Sequence, residues 1–306
     1  MTRRLLALLL LTIGFATPAV ACDGRLVDDP AILGDAVCVP EMPERIVVLD
    51  PTYSLGMALE LGLPVVGAPL FGMSDKQLKA DAVNEGVTDL GTFAEPSIET
   101  IIALDPDLII GSAMAGEEVL NLASRIAPTV LIGAEGWKDY YRLVADITGT
   151  RAEADEALAA FEDRVAAIRD RVPDTSVSIV RITPWDFQVY LDGPKAYGPF
   201  AVMREAGVKR TEYETTDSDL TVKRPDWEQL AALRGEVLLY IVGGANDSAV
   251  SGRHEEVTNN PLWQMLPAVA AGNVHRVDAA TWMEFSGLAS ANRVLDDIER
   301  FIIDGR

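Results

Sequence analysis

The chain has 306 residues, 49% of them hydrophobic, with a formal net charge of -21, two cysteines and two histidines. So acidic a protein is repelled by nucleic acid and by anionic lipid surfaces, and stays soluble and monomeric more easily. Two histidines, His254 and His275, are too few for the histidine-carboxylate cluster that a zinc or manganese site wants.

Arg3 and Arg4 precede an apolar run from Leu5 to Ala16, and Pro18-Ala19-Val20-Ala21 follows with small residues at Ala19 and Ala21. That order predicts a secretory signal cut after Ala21. The run is too short to span a bilayer comfortably, and no later stretch is long and apolar enough to do so. Cys22 and Cys38 then lie near the start of the mature chain. In an oxidising compartment they are expected to pair, a bridge worth about 3 kcal/mol through loop closure. Acylation of Cys22 as a lipoprotein cysteine is the alternative; Ala19 stands where leucine is usual, and no Gly/Ser tether follows.

From Arg45 onward strand and helix signals alternate. Arg45 to Asp50, between Pro43 and Pro51, reads as a buried strand. A helix over Ser54 to Leu61 stops at Gly62, and Pro64 to Gly67 is the next strand. Ser74 caps a helix to about Ala82, and Val87 to Leu90 is a short strand. Ser97 caps a helix ending near Leu104; after Pro106, Asp107 to Gly111 is a strand. A helix over Glu117 to Ile126 leads to the strand Thr129 to Ile132. Apolar strands alternating with helices predict a parallel sheet covered on both faces.

Trp137 to Ile147 and Ala152 to Val172 read as helices interrupted near Gly149. Leu158, Phe161, Val165 and Ile168 recur at spacings of three and four, so the second helix has one apolar face. The alternation resumes with strands over Val177 to Ile182 and Phe187 to Leu191, and helices over Pro199 to Ala206 and Asp226 to Leu233. Strands over Glu236 to Val242 and Val274 to Val277 and a terminal amphipathic helix, Ser286 to Ile303, complete the chain. The fold expected is α/β with mostly parallel sheets, the length suits two lobes, and a helix as long as Ala152 to Val172 could cross between them. The divisions are residues 1–21 (signal), 22–136 (first lobe), 137–172 (helical region) and 173–306 (second lobe).

Three segments carry a resemblance. The first is Pro43 to Leu49 with Leu59-Glu60-Leu61-Gly62 and Pro64 to Gly67. The second is Asp89-Leu90-Gly91 with Pro96 to Ile110, and the third is Arg224 to Leu230. Together with Val277-Asp278, Trp282 and Val294 to Asp297 they resemble the periplasmic iron-siderophore and cobalamin binding proteins of ABC importers. The resemblance covers nearly all of the mature chain. It implies a periplasmic protein with no intrinsic cofactor and no turnover. It implies two Rossmann-like lobes joined by one long helix, a ligand held between them, and a closure that the helix limits. It also implies one exposed glutamate per lobe, here Glu99 and Glu228, that pairs with arginines of the permease dimer. In general an acid in a first helical turn serves the helix dipole, so both residues also have an ordinary reading.

Ligands of open α/β sheets bind beyond the carboxyl ends of the strands. A ferric siderophore is already chelated, so it needs aromatic walls and charged hydrogen-bond donors rather than metal ligands. The residues that fit are Tyr53, Phe71 and Phe93 in the first lobe and Arg181, Trp185, Arg253 and Trp282 in the second. Trp227 and Trp263 are expected to pack. Haem or cobalamin is the alternative ligand; haem would want an axial group such as Tyr53, Tyr197 or His254. An enzyme is disfavoured: there is no Gly-x-Ser-x-Gly elbow, no Gly-x-Gly-x-x-Gly and no Walker lysine loop. A sensor module sharing the fold would keep the pocket and lose the importer.

Overall fold

The computed structural model describes residues 22–305, so the expected signal segment, residues 1–21, lies outside it. Two short strands open the described chain, β1 (Arg25–Val27) and β2 (Val37–Val39), paired antiparallel. Cys22 and Cys38 form the expected disulfide across them.

The first lobe is a run of alternating elements: β3 (Ile46–Val48), α1 (Tyr53–Glu60), β4 (Val65–Ala68), α2 (Lys76–Asn84), β5 (Thr88–Asp89), α3 (Ile98–Ala103), β6 (Leu108–Ser112), α4 (Gly116–Ala123) and β7 (Thr129–Ile132). The strands form one parallel sheet in the order β5-β4-β3-β6-β7. Ile46, Val47 and Val48 are all fully buried. That explains their unbroken apolar run: both faces of a parallel sheet are covered, so nothing favours alternation. The chain builds outward from β3 to β5, then crosses back to β6. The switch in direction falls between β3 and β6.

Two helices follow, α5 (Trp137–Thr148) and α6 (Arg151–Arg169). Gly149 ends α5 in the left-handed conformation, φ 79°. The buried positions of α6 are Ala154, Leu158, Phe161, Val165 and Ile168, the stripe that the periodicity predicts.

The second lobe contains β8 (Ser176–Ile182), β9 (Phe187–Tyr190), α7 (Gly198–Glu205), β10 (Lys209–Arg210), β11 (Val222–Lys223), β12 (Val237–Val242), α8 (Arg253–Asn259), α9 (Pro261–Gln264), α10 (Pro267–Ala270), β13 (Val274–Asp278), α11 (Ala279–Met283) and α12 (Leu288–Asp297). Its sheet runs β11-β9-β8-β12-β13, with β10 beside β8. Here the parallel expectation holds only in part: β8 and β9 form an antiparallel hairpin, and β11 is antiparallel to β9. The switch in direction falls between β8 and β12, which are parallel. The helix expected over Asp226 to Leu233 is a single tight turn, Gln229–Ala232. Beyond Asp297 the last helix widens into a π-turn over Ile298–Ile303.

One apolar core passes from sheet to sheet. It includes Val48 and Leu55 of the first lobe, Tyr140 and Val144 of α5, Phe161 of α6, and Ile179, Phe200 and Val294 of the second lobe. Arg164 of α6 pairs with Asp296 at 2.5 Å and with Glu299 at 3.2 Å. Opening the lobes widely would expose this core, which opposes large hinge motion.

The two lobes approach closely at Gly56 in α1. A Cβ there would lie 2.2 Å from the carbonyl oxygen of Ser286 in the second lobe. Gly56→Ala is expected to destabilise the protein, seen as a lower urea midpoint. An overlap of this kind costs about 1–3 kcal/mol and outweighs the roughly 1 kcal/mol that alanine gains over glycine in a helix. The obstacle is backbone, which cannot swing aside as a side-chain end can. A midpoint equal to the parent's would show that the lobes separate here at no cost.

Candidate functional site

Both switch points face the seam between the lobes, and each contributes one wall of a cleft. In the first lobe the loops after β3, β6 and β7 enclose a pocket of about 420 Å³. Rings of Tyr53, Phe93 and Tyr140 line it, and Tyr197 and Phe285 reach in from the second lobe. Asp50, at the carboxyl end of β3, is 5% exposed. Its carboxylate accepts from the Thr52 amide (3.0 Å) and hydroxyl (2.7 Å) and from the Ser54 amide (3.0 Å) and hydroxyl (3.2 Å). These bonds brace the start of α1 and aim Tyr53 at the cleft. The Ser54 hydroxyl meets the Tyr140 hydroxyl at 2.5 Å, and Tyr53 packs edge-on to Tyr140 and Phe285 at 5.4 and 5.8 Å.

The three phenols stay protonated. Burial, and then the negative charge of Asp50, raise Tyr53 and Tyr140 above the ordinary tyrosine range. Burial, and then Tyr53, do the same to Tyr197. The Tyr197 hydroxyl is also engaged, donating to the Met283 carbonyl (3.2 Å) and accepting from the Phe285 amide (3.1 Å).

The second wall is positive. Arg181 lies near the end of β8, opposite Ile241 of β12, and is 8% exposed. Among the described residues its guanidinium makes no ion pair or hydrogen bond, and its Nε is buried without a partner. A side-chain carbon on Gly244, after β12, would stand 3.8 Å from Arg181 Nη2 and 3.9 Å from Ser74 Oγ of the first lobe. The arginine thus points to where the lobes meet. Arg253, the first residue of α8, lies over Phe187 (5.3 Å) and Trp227 (5.8 Å). Its Nε is likewise buried without a partner, and its ion pair with Glu256 is long at 3.5 Å. Trp185, at the tip of the β8–β9 hairpin, is 65% exposed.

Of the residues singled out in the sequence, Tyr53 and Phe93 line the pocket. Phe71 is exposed and does not line it; its amide bonds to the Gly91 carbonyl, two residues before Phe93. Trp282 does not belong to the cleft. It is fully buried, its indole donates to Asp297 at 2.7 Å, and it packs against Phe200 at 5.8 Å. It lies in α11, whose inner face completes the core. Trp227 and Trp263 pack in the second lobe, as expected. His275 stacks on Phe301 at 4.9 Å, and His254 packs tilted against Tyr240 at 5.7 Å. Both titrate below the usual histidine range, through burial first and a nearby arginine second. No three His, Cys, Asp or Glu side chains gather to hold a metal ion among the described residues.

The sequence reading missed Asp50, Tyr140 and Phe285. Asp50 ends a strand before Pro51, a signal in plain view; Phe285 is brought in by tertiary packing alone. Glu99, in the first turn of α3, and Glu228, before the turn at Gln229, are both exposed. Neither has an ion-pair partner among the described residues.

The chain matches the family of periplasmic binding proteins over residues 46–281. It is 30% identical over 285 residues to the probable siderophore-binding lipoprotein YfiY of Bacillus subtilis, covering 89% of this chain and 86% of that protein. It is 30% identical over 252 residues to the iron(3+)-hydroxamate-binding protein FhuD of the same organism, covering 79% and 76%. Staphylococcus aureus SirA complexed with staphyloferrin B shares its fold, with a TM-score of 0.77, 22% identity, and 90% and 97% of the two chains covered.

Proposed function

We propose, from the premise that this chain belongs to the periplasmic binding protein family, that it captures a ferric siderophore between its lobes and hands it to an ABC importer without chemical turnover. The observation that carries the reading is Arg181. It is a buried guanidinium with no partner of its own, set at the seam that also holds the aromatic pocket. An unpaired buried cation is costly unless an anion completes it. A ferric chelate with carboxylate, hydroxamate or catecholate oxygens supplies that anion, and Tyr53, Phe71, Phe93 and Trp185 supply apolar wall. The relatives named for siderophore binding and for iron(3+)-hydroxamate binding support the class of ligand.

Haem fits less well. An axial tyrosinate would have to form from phenols that burial and Asp50 keep protonated, and the Tyr197 hydroxyl is occupied twice. Delivery is assigned to Glu99 and Glu228, whose free carboxylates suit arginines of a permease dimer. The protein works as a monomer outside the cytoplasmic membrane. We place it there in soluble form, because the Cys22 sulfur is bonded to Cys38 and is not available for a lipid thioether. Intact mass of the exported protein should equal the chain from Cys22 less two hydrogens; an acyl addition at Cys22 would contradict this.

Trp185 provides the functional assay. Titration with ferric citrate, hydroxamate, catecholate and carboxylate chelates, with haem and cobalamin as controls, should give saturable fluorescence quenching by one ferric class. Trp185→Phe should remove most of the quenching, since Trp282 is sealed in the core. Quenching by haem or cobalamin alone would overturn the iron-chelate reading.

A further inference from the structure

We propose that the pocket of the first lobe receives a protonated amine of the ligand, so that the chelate taken here is bipolar: anionic towards Arg181 and cationic towards Asp50. The proposal deepens the iron-chelate reading and rests on it. Asp50 is buried at the pocket wall, and no lysine, arginine or histidine lines that pocket. Among the described residues no cation pairs with Asp50. The four hydrogen bonds from Thr52 and Ser54 satisfy its oxygens but bring no positive charge. The negative field reaches the cavity: Asp50 is one of the causes that hold the Tyr53 and Tyr140 phenols protonated.

Rings surround the carboxylate. An ammonium among tyrosine and phenylalanine faces gains from their quadrupoles, most when water is excluded. A volume of about 420 Å³ lies within the range of small-ligand pockets and has room for an arm of a chelate. An anionic arm in the same place would meet Asp50 as a like charge. The two walls therefore select opposite ends of one molecule: Arg181 lacks an anion, and Asp50 lacks a cation. The seam connects them, since Glu284, next to Phe285 of the pocket, accepts from the Ser74 amide at 2.9 Å, and the Ser74 hydroxyl adjoins Gly244 beside Arg181.

The test is calorimetric titration of the mature protein with matched pairs of ferric chelates of hydroxamate, citrate and catecholate type. One member of each pair carries a free terminal ammonium and the other has that amine acetylated. In the class that binds, acetylation should weaken affinity about tenfold or more, and Asp50→Asn should erase the difference. Because Asp50 also braces α1, Phe93→Leu at the half-exposed rim serves as a second variant and should narrow the preference. Equal affinity within every pair overturns the proposal and leaves the iron-chelate reading intact. A preference that survives in Asp50→Asn overturns the assignment to Asp50. No binding by any member overturns both readings.

Discussion

Replacing Arg181 by methionine is expected to weaken ferric-chelate binding about 100-fold, and to leave the ligand-free protein as stable as the parent or more so. The two halves of this result have one cause. Arg181 is 8% exposed, makes no ion pair or hydrogen bond, and has its Nε sealed from water, so its guanidinium has given up hydration and gained nothing in exchange within the protein. Methionine of similar reach removes that penalty. In the complex the same guanidinium meets an anionic chelate, and charge-assisted hydrogen bonds of this kind contribute about 1.5–3 kcal/mol each. Arg210 provides the contrast. Its side chain is 1% exposed, but it pairs with Glu214 at 2.6 Å and donates to the carbonyls of Val177 and Tyr190 at 3.1 Å each. Arg210→Met should cost about 3–5 kcal/mol of stability, since it leaves Glu214 buried and uncompensated. Urea denaturation and calorimetry measure both variants. Unchanged chelate affinity in Arg181→Met, with lowered stability, would make Arg181 a structural residue like Arg210.

The double variant Glu99→Lys with Glu228→Lys should reduce iron uptake to background while chelate affinity stays at the parent value. Both carboxylates are exposed, and they stand on different lobes. Neither lines the pocket of the first lobe or joins an ion pair. Two separated charges fix the register of docking and speed encounter more than they strengthen the contact, so reversing both turns attraction into repulsion at two points. Each single reversal should give an intermediate rate, and the loss should be largest at low ionic strength. Normal uptake by the double variant would remove both glutamates from the docking surface.

Much of this architecture was legible because a parallel sheet imposes a simple code. Ile46-Val47-Val48 and Leu108-Ile109-Ile110 read as strands since both faces are buried, and the stripe on α6 is a plain 3.6-residue period. The β8–β9 hairpin was legible in principle: four residues separate Ile182 from Phe187, too few for a parallel crossover, so the length of the link fixes the antiparallel direction. The cleft was harder to read. Proximity to a strand end leads to Tyr53, which lines the pocket, and to Arg181, which is buried near the seam. It failed for Trp282, because position along the chain after β13 does not say which face of α11 turns inward. Tyr197 and Phe285 reach the pocket from the opposite lobe, and that depends on how α7 and α12 seat against α1, which no local pattern encodes.

The measurement that tests the central claim most directly is the position of iron in crystals of the ferric-chelate complex, located by anomalous scattering at the iron edge. The account predicts one peak in the seam, between the Tyr53–Phe93 wall and Arg181, with every iron ligand belonging to the chelator and the guanidinium hydrogen-bonded to its oxygens. A peak outside the seam, or iron bonded directly to a protein side chain, would contradict it.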